Sequence, residues 1–124
     1  MPNFKFIVLT GIDGAGKDFI ANHLSLVDPG SFYMRTPTFP FDEIRNKVDA
    51  FTLQYPEAHY YFYLSSVIHA SKIISEKLVN GNVYCSRYLI DTVVYHRAIG
   101  LSVALCVNID VASTKETRWA IRDQ

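Results

Sequence analysis

The sequence is short of several things, and each shortage excludes a class of protein. Net charge is absent: twelve Lys and Arg stand against twelve Asp and Glu in 124 residues, and charged side chains make up only 19% of the total. Without a basic excess there is no field to hold nucleic acid or an anionic membrane by counterion release, so any anion has to be bound locally. Cysteine is scarce, with Cys85 and Cys106 alone. In a chain with no recognisable secretory leader the two read as buried, inert thiols of a reducing, cytoplasmic compartment. Long apolar runs are missing too. Phe6-Ile7-Val8-Leu9 is too short for a secretory signal, and nothing later approaches a membrane span. Internal repeats and Ser/Gly linkers are also lacking.

What remains is an apolar chain, 49% hydrophobic and 14% aromatic, long enough to bury roughly two-thirds of its unfolded surface around one core. A single domain over residues 1–124 is expected. Phe4 to Thr10 is a β-branched and aromatic run that ends at a glycine, which reads as a strand. Lys17 to Leu26 follows as a helix with Phe19, Ile20, His23 and Leu24 at helical spacing. Ser31 to Met34 reads as a second strand, and Asp42 to Leu53 as a helix with Ile44, Val48 and Phe51 on one side. The longest periodic stretch, Glu57 to Val79, carries Leu64, Val67, Ile68, Ile74 and Leu78 near the helical period until Asn80-Gly81 stops it. A short strand at Val83 to Cys85, a helix at Leu89 to Ile99 and an apolar strand at Val103 to Val111 come next. A final helix from Ser113 to Arg122 is expected, capped by Ser113 with Glu116 three residues on. This alternation predicts a three-layer α/β fold, a parallel sheet with helices on both faces and right-handed crossovers. The strands bearing Cys85 and Cys106 should be neighbours in that sheet.

The chemistry starts at Gly11-Ile12-Asp13-Gly14-Ala15-Gly16-Lys17. This Gly-x-x-x-x-Gly-Lys run directly follows a predicted strand and opens a predicted helix, the context a phosphate-binding loop needs. Three of the six glycines fall in these seven residues, because backbone N–H groups converge on phosphate oxygens only where side chains leave a tight loop clear. The helix N-terminus adds partial positive charge, and Lys17 reaches the β- and γ-phosphates as a mobile point charge. Gly11, Asp13, Gly14, Ala15, Gly16, Lys17 and Asp18 are therefore the expected triphosphate-binding residues. Asp18 stands where the full pattern has Ser or Thr. Its carboxylate becomes the candidate Mg2+ ligand, since a hard cation prefers oxygen. The plainer reading of the segment is an ordinary glycine turn between strand and helix.

Beyond the loop, the sequence resembles the thymidylate kinase family of P-loop nucleoside-monophosphate kinases. Thr10 to Lys17 reads like that family's loop, Met34-Arg35-Thr36-Pro37 like its Thr-Arg-Glu-Pro segment, and Asp42-Glu43-Ile44-Arg45 like its Gly-Glu-x-Ile-Arg helix start. Phe62 is similar to the aromatic that stacks on thymine, Ser86-Arg87-Tyr88 to the Asp-Arg-Tyr segment, and Tyr95-His96 to a Tyr-Gln pair. The likeness covers nearly all of the chain and corresponds to the family's first two-thirds; the later lid and adenine-side portion has no clear counterpart. The resemblance implies ATP and Mg2+ as cofactors and transfer of the γ-phosphoryl group to a deoxynucleoside monophosphate, dTMP first, with Lys17 and Arg87 as the catalytic charges. It implies that Arg35 and Arg87 hold the acceptor phosphate, that Asp13 bonds the acceptor's sugar hydroxyl, and that Tyr95 packs on the deoxyribose edge beside His96. Phe62 would supply a π-face for the base, and Ser66 stands where the base-reading arginine would be. Ser66 and Ser86 depart from the family pattern, the second removing a carboxylate before Arg87. Arg118 and Arg122 on the last helix are available as further positive groups.

Two other functions stay open. One is a catalytically inactive nucleotide-binding module of the same fold, which Asp18, Phe19 and Ser86 favour. The other is a deoxynucleoside kinase, which would want an acidic base near the loop. The expected partners are a nucleoside triphosphate and a deoxynucleoside monophosphate, with no nucleic acid and no membrane; a homodimer is left open. Plainer roles compete at single residues: a solvated strand-end charge for Arg35, a helix cap for Asp110, a structural role for His69, and core or pocket wall for Tyr60-Tyr61-Phe62-Tyr63.

Overall fold

A computed structural model describes residues 3–101 in full and the backbone of residues 106–110 and 118–122. Three short strands, β1 (Phe6–Leu9), β2 (Phe32–Arg35) and β3 (Val83–Ser86), form a parallel sheet in the order β1-β3-β2. Helices α1 (Lys17–Leu26), α2 (Phe41–Asp49), α3 (Pro56–Lys77) and α4 (Leu89–Ala98) alternate with them. The expected helix over Asp42 to Leu53 stops at Asp49, and residues 50–54 leave it as turns. Pro56 sets where the next helix starts. It disfavours helical backbone at the residue before it, and at the first position of α3 its missing N–H costs nothing. Tyr55 accordingly sits at φ −133°, ψ 66°.

The pairing register shows how the layers form. Phe6, Val83 and Phe32 make one row across the sheet, and Val8, Cys85 and Met34 the next. Both rows pack with Tyr60, Val67, Ala70 and Ile74 of α3 and with Leu89 and Val93 of α4. Successive strand residues face opposite sides, so Tyr33 and Arg35 of β2 are turned to the other face. There Arg35 meets Asp18 of α1, whose Ala21 is fully buried. Helices therefore cover both faces, as the alternation predicts. Burying an Ile74 or a Val67 contributes roughly 2 kcal/mol each, so α3 adds several kcal/mol to this core. Among the described residues no helix is long and apolar enough to cross a membrane.

The C-terminal region departs from expectation. Residues 118–122, read from sequence as the end of a helix, form strand β5 (Arg118–Arg122), antiparallel to β4 (Cys106–Asp110). In an extended Arg-Trp-Ala-Ile-Arg segment Trp119 and Ile121 share one side and Arg118, Ala120 and Arg122 the other, and this pairing of the two large apolar residues on one side outweighs the upstream capping signal. The register sets Val107 opposite Ile121, Ile109 opposite Trp119 and Asp110 opposite Arg118, pairs that suit a two-stranded ladder. Arg118 and Arg122 thus belong to a strand, and Ser113 and Glu116 lie outside the described residues. β4 pairs with β5 and not with the parallel sheet, so the strands of Cys85 and Cys106 are not neighbours. Cys85 itself is buried as expected, and desolvation pushes its thiol up to about 12.

Candidate functional site

Residues 10–16 run exposed from the end of β1 to the start of α1. Gly14 and Gly16 hold φ of 81° and 86°, left-handed values that side-chain-bearing residues rarely adopt. A Cβ on either would project into open space, so the glycines supply a backbone conformation and a bare surface above it. Ala15 N donates to Ile12 O at 3.3 Å, and Ile20 N donates to Gly16 O at 3.0 Å to open the helix. Lys17 closes on this loop. Its ammonium donates to Gly11 O at 2.8 Å and Ile12 O at 2.6 Å, and the side chain is nearly buried.

These residues fit a polyphosphate: a bare, exposed loop leads into a helix N-terminus, with the Lys17 ammonium held against the loop's carbonyls. For Mg2+ the position after Lys17 offers the Asp18 carboxylate, whose Oδ2 lies 3.7 Å from Arg35 Nη1 with both side chains more than half exposed. Among the described residues no group of three His, Cys, Asp or Glu side chains forms a cation cage.

Beside the loop opens a cavity of about 520 Å³, within the roughly 300 to 1,000 Å³ of small-molecule sites. Asp13, Arg87, Tyr95 and His96 line it together, four of the residues singled out from sequence. Arg87 follows β3 with φ 69°. Its backbone is pinned on three sides: Arg87 N donates to Leu9 O at 2.9 Å, and Arg87 O accepts from Thr36 Oγ1 and Cys85 Sγ, each at 3.0 Å. The guanidinium then reaches the Asp13 carboxylate of the loop as an ion pair. Asp13 is largely exposed, so this pair contributes about 1 kcal/mol at most.

Three other candidates lie elsewhere. Arg35 is exposed on the α1 side of the sheet, paired with Asp18, and does not line this cavity. Phe62 packs edge-on against Phe41, with ring centroids 5.6 Å apart, and does not reach the cavity wall. Ser66 is fully buried with its hydroxyl unpartnered, inside the core. Ser86 is likewise buried and unpartnered at the end of β3.

Sequence reasoning expected Tyr63 as core or pocket wall and quoted Arg45 only as part of a motif, and it missed Asp49, His59, Asp91 and Thr92 on the cavity's other polar wall. Arg45 and Asp49 come from α2, His59 and Tyr63 from α3, Thr92 beside His96 from α4, and Asp91 from the first turn of α4. Asp91 joins two elements, accepting from Thr10 Oγ1 at 2.9 Å and from Tyr88 N at 3.1 Å. The missed signal is periodic: Arg45/Asp49, His59/Tyr63 and Thr92/His96 are each four apart, so each pair shares one helix face. Desolvation chiefly, and the bond it donates to Asp49, raise the Tyr63 hydroxyl above its ordinary value. Desolvation is also the main reason that His96 falls below its own, with nearby His59 adding to it and the Thr92 carbonyl opposing.

A glycine loop running from a parallel strand into a helix that a lysine opens, in a sheet covered on both faces, defines a P-loop NTPase-type α/β fold. The comparison with protein families narrows this. The model described as thymidylate kinase matches residues 9–117, from the last residue of β1 onward, and the chain belongs to the thymidylate kinase family. No curated protein matches the chain.

Proposed function

We propose that this protein is a nucleoside-monophosphate kinase that moves the γ-phosphoryl group of ATP onto a deoxynucleoside monophosphate, with dTMP the first candidate. One observation carries the reading: Asp13 belongs both to the glycine loop and to the cavity wall, and there it holds Arg87. A donor bound on the loop and an acceptor bound in the cavity would therefore meet at a shared edge. Positioning and charge neutralisation are most of what phosphoryl transfer requires.

Each side chain then has a definite task. The Gly11 to Gly16 backbone receives the triphosphate tail, and Lys17 exchanges the Gly11 and Ile12 carbonyls for phosphate oxygens. Arg87 exchanges Asp13 for the acceptor phosphate, which its planar fork suits better than a lysine would. Release from Arg87 frees the Asp13 carboxylate to accept from the acceptor's sugar hydroxyl. Tyr95, about half exposed at the cavity wall, packs on the sugar edge. Tyr63 offers the base an aromatic surface that Phe62 does not. Mg2+, when bound, would supply charge neutralisation at the donor phosphates, and the Asp18 carboxylate would be available to hold it. Arg35 and Ser66, by their positions, fall outside this assignment.

The test is coupled ADP release with dTMP, dGMP and thymidine as acceptors. Turnover with dTMP supports the proposal. Turnover with thymidine alone selects a nucleoside kinase, and binding of ATP without turnover on any acceptor selects an inactive nucleotide-binding module.

A further inference from the structure

A chain of hydrogen bonds that the phosphoryl transfer does not use ties the three helices around the cavity. His96 Nδ1 lies 2.6 Å from Thr92 O. A carbonyl only accepts, so this nitrogen carries a hydrogen. His59 Nδ1 lies 2.6 Å from His96 Nε2, and His59 Nε2 lies 2.7 Å from Asp49 Oδ1. His96 is 1% exposed, and burial favours its neutral form, in which Nε2 presents a lone pair. His59 Nδ1 is then the donor. Asp49 Oδ1 also accepts from the Tyr63 hydroxyl at 2.8 Å, and its other oxygen lies 3.8 Å from Arg45 Nε, surroundings that suit a carboxylate. His59 Nε2 therefore donates as well. Three contacts need three hydrogens, and two of them sit on His59.

We propose that His59 is an imidazolium, proton-bound between the Asp49 carboxylate and His96 Nε2, and that this chain holds α2 against α3 and α4 so that the acceptor's cavity wall is preformed. The second clause rests on the acceptor reading of the cavity, and the first stands without it. His59 acts here as a positioning residue. The ionisable groups around it are Arg45 and Asp49 from α2, Tyr60 and Tyr63 from α3, and Tyr95 and His96 from α4, with Arg87 and Asp91 on the same cavity. Tyr60 and Tyr63 are both raised, chiefly by desolvation, and stay neutral. Asp49 is thus the counter-ion in direct contact.

Two facts make α2 the part that responds. None of its side chains is fully buried, so polar links such as Asp49 to His59 add to the apolar contact of Phe41 with Phe62. Asp49 is also the most exposed member of the chain, at 39% against 3% for His59. Removing the shared proton sets two lone pairs against each other at one end of the His59 ring, and the contact at the solvent side gives way first.

The test is nitrogen-edited NMR of the imidazole rings in the full chain without ligand, near neutral pH. The expected result is hydrogen on both nitrogens of His59 and on Nδ1 alone of His96. In Asp49→Asn, which offers no charge, His59 should carry hydrogen on Nδ1 only. A wild-type His59 with one hydrogen overturns the proposal. The positioning clause is read by the affinities of dTMP and ADP at one pH. Asp49→Asn should weaken dTMP roughly tenfold while ADP changes less than about twofold, and a variant that binds dTMP as the wild type does overturns the clause. Should the wild type bind no dTMP, the acceptor reading fails instead. Hydrogen exchange of the α2 amides then decides positioning, with protection in Asp49→Asn equal to that of the wild type counting against it.

Discussion

Replacing Arg87 with glycine separates what its side chain does from what its backbone does. The backbone takes φ 69°, and a left-handed residue bearing a Cβ costs about 1 to 2 kcal/mol that glycine does not. Against this relief stand the greater freedom of glycine in the unfolded chain, about 0.4 to 1 kcal/mol, and the loss of the exposed Asp13 pair, about 1 kcal/mol at most. The three backbone bonds to Leu9, Thr36 and Cys85 use only the N–H and C=O of residue 87, and glycine keeps both. Stability should therefore stay within about 1 kcal/mol of wild type by urea denaturation. Arg87→Ala, which keeps the Cβ, should be the less stable variant by about 1 kcal/mol. Acceptor use should collapse in both. A charge-assisted contact to phosphate contributes about 3 kcal/mol, so kcat/KM for dTMP should fall roughly 100-fold. A glycine variant that loses several kcal/mol of stability while turning over dTMP normally would show that Arg87 is structural and refute the reasoning.

Lys17→Ala should weaken ADP roughly tenfold or more by calorimetry, without unfolding the protein, since its ammonium bonds only the carbonyls of the loop it serves; unchanged affinity would remove the phosphate role. Cys85 should resist alkylation in the native state at mildly alkaline pH and react once denatured, because its thiol is pushed up to about 12 and the thiolate is the reactive form; peptide mass spectrometry reads this directly. His96 gives a pH prediction of definite sign. Its folded value lies below the ordinary 6.5, so in the window between them the unfolded chain binds a proton that the native ring does not. Stability should fall as pH falls through that window, by up to about 1.4 kcal/mol per pH unit, and His96→Gln should flatten the dependence.

The donor side of the site is legible in sequence because it is local. Seven consecutive residues, Gly11 to Lys17, carry the turn chemistry, the charge and the strand and helix on either side, and α1 begins and ends at the residues expected. The core face of the sheet is legible for a similar reason, since Phe6/Val8, Phe32/Met34 and Val83/Cys85 alternate within single strands. The acceptor wall is different. Asp49, His59 and His96 lie ten and thirty-seven residues apart along their chain of bonds, and only the packing of three helices brings them together. Phe62 and Ser66 show the converse. A motif fixes their spacing, yet the rotation of α3 turns Ser66 into the core and brings Tyr63 to the cavity. The end of the chain is not legible in this way, because a Ser-x-x-Glu cap signal concerns one helical turn, whereas Trp119 and Ile121 are satisfied by Ile109 and Val107 of a partner strand ten or more residues away.

The most direct measurement is sequential calorimetric titration of ATP and then dTMP into the wild type and the Lys17→Ala and Arg87→Gly variants. Two adjacent sites that share Asp13 predict that both ligands bind the wild type together, that the lysine variant loses ATP and retains dTMP, and that the glycine variant does the reverse. Competition between ATP and dTMP for one site, or loss of both ligands in either variant, would contradict the account.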